Sequence, residues 1–285
     1  MSHINHFAHG WVTPVLAYLM SVVGSLLGLL LTARARSAEG AARVRWLIGG
    51  AFSIGGTAIW VMHFIAMMGF DVPGTLIRYD VPLTVLSFVV AVAVVGCGLL
   101  VVSRGGAKLR PLLLGGLITG VGVAGMHYLG MFAMNMSGQV SYDPVVVAIS
   151  VLIAIVAATV ALWFTLRVEG ALATTGAALM MGVAVCGMHF TGMFAMSVQL
   201  QDGPDLTGAE AIDFLLPLLV GISLLTVGLL LAVLLSPSSA ELREDAAILA
   251  RLESRRQNGG MPVAPPTPPA PEPSQNGSLF TPRNQ

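Results

Sequence analysis

Seven stretches of the chain run apolar for about twenty residues or more and are parted by short polar segments: 11–32, 46–70, 81–102, 111–136, 145–166, 172–198 and 214–235. A helix rises about 1.5 Å per residue, so about 20 apolar residues cross a hydrocarbon core. The pattern predicts seven transmembrane helices and an all-α integral membrane protein. Pro14, Pro82, Pro111, Pro144 and Pro217 stand at or near the starts of five of these runs, where a missing N–H costs least.

The flanks read differently. Residues 1–10 form a polar tail, and 11–235 make up the membrane domain. Beyond it, Ser238 and Glu241 have capping-box spacing, and Leu242, Ala246, Leu249 and Leu252 recur on one face. Residues 236–257 are therefore expected to hold a short amphipathic cytoplasmic helix. Residues 258–285 carry eight prolines among Gly, Ser, Asn and Gln, a composition that cannot bury a core and is expected to be disordered, leaving no room for a second folded domain.

Composition excludes a soluble domain: 55% of residues are hydrophobic and 10% charged, with a mean hydropathy of +0.84, values that belong to the membrane class. Cys97 and Cys186 both sit in apolar runs, so no disulfide framework is implied. The first ten residues contain no Lys or Arg, and the run from Trp11 is too long for a signal-peptide core. The first helix is thus expected to stay as an anchor.

The net charge of zero changes nothing, but the placement of charge does. Arg34, Arg36, Arg43 and Arg45 follow the first run, Arg104, Lys108 and Arg110 the third, Arg167 the fifth, and Arg243, Arg251, Arg255 and Arg256 the seventh. The alternate segments hold Arg78 alone among basic residues, with Asp71, Asp80, Asp143, Asp202, Asp205 and Glu210. The positive-inside rule places the N-terminus outside and the C-terminus in the cytoplasm.

One phrase recurs three times, late in the second, fourth and sixth runs: Met62-His63-Phe64-Ile65-Ala66-Met67, Met126-His127-Tyr128-Leu129-Gly130-Met131 and Met188-His189-Phe190-Thr191-Gly192-Met193. The histidines are 64 and 62 residues apart, the length of two helices and two loops, so the core reads as a helix pair used three times with one helix added. Gly56, Gly120 and Gly182 each precede a histidine by seven residues. Seven positions is close to two turns, which puts each glycine on its histidine's face. Because small residues let membrane helices approach, the three helices are expected to converge there with the histidines facing one another at one depth.

An imidazole inside a membrane is costly unless it is paired, and such residues face a bundle interior and have a role. Met67, Met131 and Met193 lie four residues after each histidine, on the same face. Met134 and Met196 continue that face at seven residues. Met62, Met126 and Met188 point roughly 100° away and are weaker candidates; Cys186, three residues before His189, is the one thiol in reach and more readily a small filler. Nitrogen with soft sulfur suits copper, particularly Cu(I), better than magnesium, calcium or manganese, and zinc has little use for thioethers. The ligand set expected is His63, His127 and His189 with Met67, Met131 and Met193. His3, His6 and His9 are read as a solvated tail on the outer side, with delivery of metal as the rival role.

These three spaced words resemble the MHYT family of bacterial seven-helix membrane sensor domains, over residues from about His6 to Leu235. Here they read Met-His-Phe-Ile, Met-His-Tyr-Leu and Met-His-Phe-Thr, which keeps Met and His while departing at the third or fourth letter. The resemblance implies a copper site near the outer face of the bacterial cytoplasmic membrane and sensing of oxygen, carbon monoxide or nitric oxide. Many members resemble sensors fused to diguanylate cyclase or phosphodiesterase domains, which are not seen in this sequence.

The sequence thus points to a metal-binding sensor that signals to a cytoplasmic partner, and not to an enzyme: no Asp or Glu lies in a helix interior to partner a histidine. A metal transporter is the alternative; below the histidines, however, mainly Gly, Ala and aliphatics follow, with Ser53, Thr57 and Thr119 as exceptions. A haem protein is a second alternative that three equivalent histidines fit poorly. No concentrated basic face suggests nucleic-acid binding.

Overall fold

A computed structural model describes residues 4–105, 108–201, 206–235 and 239–258. Seven helices long and apolar enough to span a membrane are α1 Val12–Arg36, α2 Gly40–Met67, α3 Val81–Gly105, α4 Leu109–Phe132, α5 Pro144–Arg167, α6 Ala171–Phe194 and α7 Ala211–Leu235. Several ends differ from the apolar runs. Charged residues extend α1 to Arg36 and start α2 at Gly40, because polar side chains at helix ends leave the apolar span. Conversely, α4 and α6 stop at Phe132 and Phe194, short of Met136 and Val198, because the chain there turns into strands.

The first six helices each pack on their sequence neighbours, and α1 closes a ring of six by packing on α6. The ring is three helix pairs, α1–α2, α3–α4 and α5–α6, and α7 is the added helix, lying outside against α1 and α2. Only 17% of its apolar stretch is buried, against 78% for α2, so α7 faces the surroundings while α2 runs through the core.

The glycines seven before each histidine do not bring α2, α4 and α6 together. A Cβ on Gly56 would meet Phe88 of α3, one on Gly120 would meet Ile155 of α5, and one on Gly182 would meet Tyr18 and Val22 of α1. They seat each histidine helix against an odd-numbered neighbour, because two turns below the histidines the odd helices enter between the even ones. In α2 the helical register shifts as well: Phe52–Val61 winds as a π-helix directly before Met62, a widening found mostly at functional sites.

The two ends of the ring are built differently. At the histidine end the loops form a lid of short antiparallel strands: β1 Arg78–Tyr79, β2 Met134–Asn135, β3 Gly138–Tyr142, β4 Met196–Leu200 and β5 Ala209–Glu210, in the orders β2-β1-β5 and β3-β4. Three equivalent backbone bonds tie each odd helix to the end of an even one. Ala8 donates to Gly69 at 2.9 Å, Asp80 to Ala133 at 2.8 Å and Asp143 to Ala195 at 2.8 Å, the acceptor in each case six residues after a histidine. Asp80 and Asp143 also cap helices, their carboxylates accepting from Leu83 N at 2.9 Å and Val145 N at 2.8 Å. Burial pushes the Tyr142 phenol of the lid up to about 12 and also raises that of Tyr79.

At the opposite end, arginines hold the last turns of the odd helices. Arg34 donates to Val233 O of α7 at 2.8 Å, Arg36 to Thr165 O and Val168 O at the end of α5, and Arg43 to Ser103 O of α3. These are the carbonyls that a helix C-terminus leaves unpaired.

As a separate unit, Ser239–Asn258 forms helix α8, on which Ile248, Leu249 and Leu252 are exposed. Ser238, and residues 259–285 of the tail expected to be disordered, lie outside the described residues.

Candidate metal centre

His63, His127 and His189 meet on the axis of the ring. Their Nδ1 atoms converge: His63 stands 3.0 Å from His189 and 3.1 Å from His127. The ring centroids are 4.9, 5.0 and 5.1 Å apart, with interplanar angles of 84°, 84° and 88°. This is a three-bladed propeller of imidazoles, each at most 1% exposed. Among the described residues it is the one cluster of His, Cys, Asp or Glu able to hold a metal ion.

No tautomer satisfies this arrangement. A neutral imidazole has one N–H and one lone pair, and all three Nε2 atoms are buried without a hydrogen-bond partner. Whichever nitrogen carries the proton, every ring therefore keeps a buried group unpaired, which costs roughly 1–3 kcal/mol per group. A cation between the Nδ1 atoms fits that face: it takes three lone pairs at once and puts the protons on Nε2, which stay without a partner. Nitrogens bound to one ion at about 2.0–2.1 Å stand about 3.3–3.6 Å apart, so a small outward movement of the rings accommodates it.

The residues around each histidine explain the rest of the phrase. The aromatic that follows packs edge-on against the ring before it: Phe64 on His63 at 4.7 Å, Tyr128 on His127 at 4.9 Å and Phe190 on His189 at 5.0 Å. The small residue three positions after His makes room for the next ring. A Cβ on Gly130 would lie 2.5 Å from His63 Nε2, and one on Gly192 would collide with His127 Nε2. In the first repeat Ala66 holds that position. A metal-bound imidazole ordinarily donates its second N–H to an oriented acceptor; here, aromatic neighbours and glycine backbone fix the rings instead. Nothing in the sequence flagged Gly130 and Gly192 beyond their recurrence in the second and third phrases.

The sulfur candidates are buried but differ in place. Met67, Met131 and Met193, with Met126 and Met188, belong to the main apolar core, and Met62 packs with Ala17 and Ala66. Cys186 is half-buried beside that smaller cluster. Met134 and Met196 are buried too, but they stand on β2 and β4. The helical register that aligned them with the histidines ends before reaching them, because α4 and α6 stop at Phe132 and Phe194.

The N-terminal tail is not solvated throughout. Asn5 and Asp71 exchange backbone bonds of 2.9 Å in both directions, so residues 4–10 fold back across the histidine end as a strap. His6 lies against Phe194 at 4.8 Å and Phe70 at 5.7 Å, its Nδ1 buried and unpartnered. Partial burial lowers its pKa below the usual imidazole value. Phe7 packs on Trp11 and Phe190. His9 is exposed, and His3 lies outside the described residues. The sequence signal for the strap is the aromatic Phe7 next to His6, which a solvated tail does not need.

No solved structure matches the chain. It is 35% identical over 253 residues to the bifunctional diguanylate cyclase/cyclic di-GMP phosphodiesterase MucR of Pseudomonas aeruginosa, covering 86% of this chain and 36% of that protein. It is 36% identical over 206 residues to the cyclic di-GMP phosphodiesterase NbdA of the same organism, covering 70% and 26%. It is also 30% identical over 223 residues to the signalling protein YkoW of Bacillus subtilis, covering 73% and 27%. The matched region thus spans about a third of these relatives or less. The MHYT family, described as a bacterial signalling protein N-terminal repeat, matches residues 56–115, 120–178 and 182–243, each match beginning seven residues before a histidine or at that register. With three repeats across most of its membrane domain, this chain belongs to the MHYT family of bacterial signalling proteins.

Proposed function

We propose that this membrane domain is a sensor module of the bacterial cytoplasmic membrane that holds copper between the Nδ1 atoms of His63, His127 and His189. The observation that carries the reading is the buried propeller: His63 Nδ1 stands 3.0 Å from His189 Nδ1 and 3.1 Å from His127 Nδ1, so that three imidazole lone pairs can face one ion. The donors are neutral, and no carboxylate joins them among the described residues. An uncompensated charge in an apolar interior is costly, so a monovalent, soft ion suits the site better than a divalent one. Cu(I) is both. Met67, Met131 and Met193, on the same helices one turn further, are the proposed sulfur donors.

The basic residues at the arginine end support an orientation with the histidines toward the outside. The bound ion would supply a coordination position for a diatomic ligand such as oxygen, carbon monoxide or nitric oxide. The chain's own residues hold the rings, shield them with the strap and lid, and link them to the arginine end through α2, α4 and α6. The relatives' names support an output in cyclic di-GMP signalling through a cytoplasmic partner. A transporter is less well supported: immediately below the histidines the interior is apolar, which opposes the passage of an ion.

Elemental analysis of the purified protein beside the His63→Ala/His127→Ala/His189→Ala variant tests the reading. The account expects about one copper per chain in the parent and loss of it in the variant; equal metal in both contradicts it.

A further inference from the structure

Directly beneath the propeller the bundle leaves a chamber. Its wall includes Ile59, Val123 and Val185, which stand four residues before His63, His127 and His189. One turn of helix, about 5.4 Å, therefore separates each imidazole from the chamber, and all three histidine helices contribute to it, with much of the remaining wall supplied by α5. Its volume is about 50 Å³. A single water needs about 10–15 Å³, so there is room for a molecule of a few heavy atoms and too little for an acyl chain or an aromatic ring.

The chamber's chemistry narrows the occupant. Three of its lining residues carry hydroxyls. Thr119 donates to Val94 O at 3.3 Å and Thr165 to Leu162 O at 2.7 Å, which leaves Ser25 Oγ, fully buried and without a partner. Ordered water requires two to four polar partners, and one free hydroxyl among aliphatic side chains does not supply them. An apolar molecule that accepts at most one weak hydrogen bond does fit.

The chamber also has a side entrance. A groove on the outer surface between α5 and α6 shares Ala157, Ala161, Met181 and Ala184 with the chamber wall. The partition is thus three methyl groups and one flexible thioether, and methionine rearranges readily. The groove itself is lined by aliphatic residues such as Leu152 and Val156, which are exposed where lipid would lie.

We propose that this chamber is a second binding site, for a small uncharged apolar molecule that enters from the bilayer between α5 and α6. The site stands on the chamber's geometry alone. Its relevance to the histidines rests on the metal reading above: a ligand held one turn beneath the rings presses on Ile59, Val123 and Val185 and so on all three histidine helices together.

Xenon is the probe, because it occupies dry apolar cavities. In crystals of the full chain under xenon pressure, the proposal expects anomalous density between Ile59, Val123 and Val185, both in the parent and in the triple histidine-to-alanine variant. Ala158→Leu, which fills the chamber, should abolish it, and the milder Ala158→Val should reduce it if the larger residue prevents folding. Val160→Phe, in the groove but not in the chamber wall, should slow xenon uptake without removing the site. A chamber without xenon, or with ordered water on Ser25, overturns the proposal even if copper is found at the histidines. Xenon retained in a variant without copper separates the failure of the metal reading from the failure of this one.

Discussion

At one end of the bundle the guanidinium groups of Arg34, Arg36 and Arg43 each reach a helix carbonyl. At the other, the Nε2 atoms of His63, His127 and His189 are buried against other groups with no partner. Both ends gather polar side chains from related elements, yet these three arginines have partners and the three Nε2 atoms do not. The arginine end neutralises what helix termini leave open and so holds the ring of helices together. The histidine end is held by aromatic packing, backbone ladders and capping aspartates, and its imidazoles are left free for something else. Three buried Nε2 atoms that recur by repeat without a partner persist only where the surrounding fold overrides their cost, and the Nδ1 atoms of the same rings are the face an ion would take.

The comparison breaks most sharply at the glycines that seat the rings. Gly192→Ala should displace His127, and Gly130→Ala should displace His63, because the added Cβ meets Nε2 in each case. An overpacking cost of about 1–3 kcal/mol predicts metal affinity weakened about tenfold to a hundredfold, measured by competition with a chelator. Gly125→Ala and Gly187→Ala, whose Cβ atoms would meet open space, should change nothing.

The converse should hold at the other end. Arg36→Ala leaves the carbonyls of Thr165 and Val168 unpaired, an expected loss of about 1–3 kcal/mol in thermal or denaturant unfolding, with metal content unchanged. Between these cases lies Asp143→Ala: removing the cap of α5 should cost about 1 kcal/mol and loosen β3 against β4, with a smaller effect on metal retention.

The smallest effect concerns the strap. Burial lowers the His6 pKa, so the folded strap resists protonation, whereas a released one takes up a proton near pH 6.5. Stability from the docked strap is therefore full above about pH 6.5 and declines as pH falls below it. The protection factor of the Ala8 amide, bonded to Gly69, should fall as the solution is acidified once the intrinsic exchange rate is divided out, and His6→Phe should remove that dependence.

Much of this was legible in the sequence. Seven apolar runs gave seven helices, and three evenly spaced histidines gave the repeated pair and the meeting point. Periodicity failed where the helix changed or ended. Met134 and Met196 were counted onto a helical face that stops at Phe132 and Phe194. Gly56, seven before His63, lies in π-helical winding and faces Phe88 of α3. Gly120 and Gly182 sit beside odd helices because glycine reports close approach without naming the partner. The lid was missed because its strands are only two to five residues long, pinned by backbone bonds that no side-chain pattern encodes. The arginines were read as topology signals alone, since sequence shows their charge and not the carbonyls they reach.

The central claim is that one ion sits among three imidazole nitrogens, and X-ray absorption at the copper edge of the copper-loaded protein tests it most directly. The account predicts a nitrogen shell at about 2.0 Å with outer-shell scattering from three imidazoles, and loss of that pattern in the triple histidine variant. A first shell of sulfur alone, or one identical in the parent and the triple histidine variant, would contradict it.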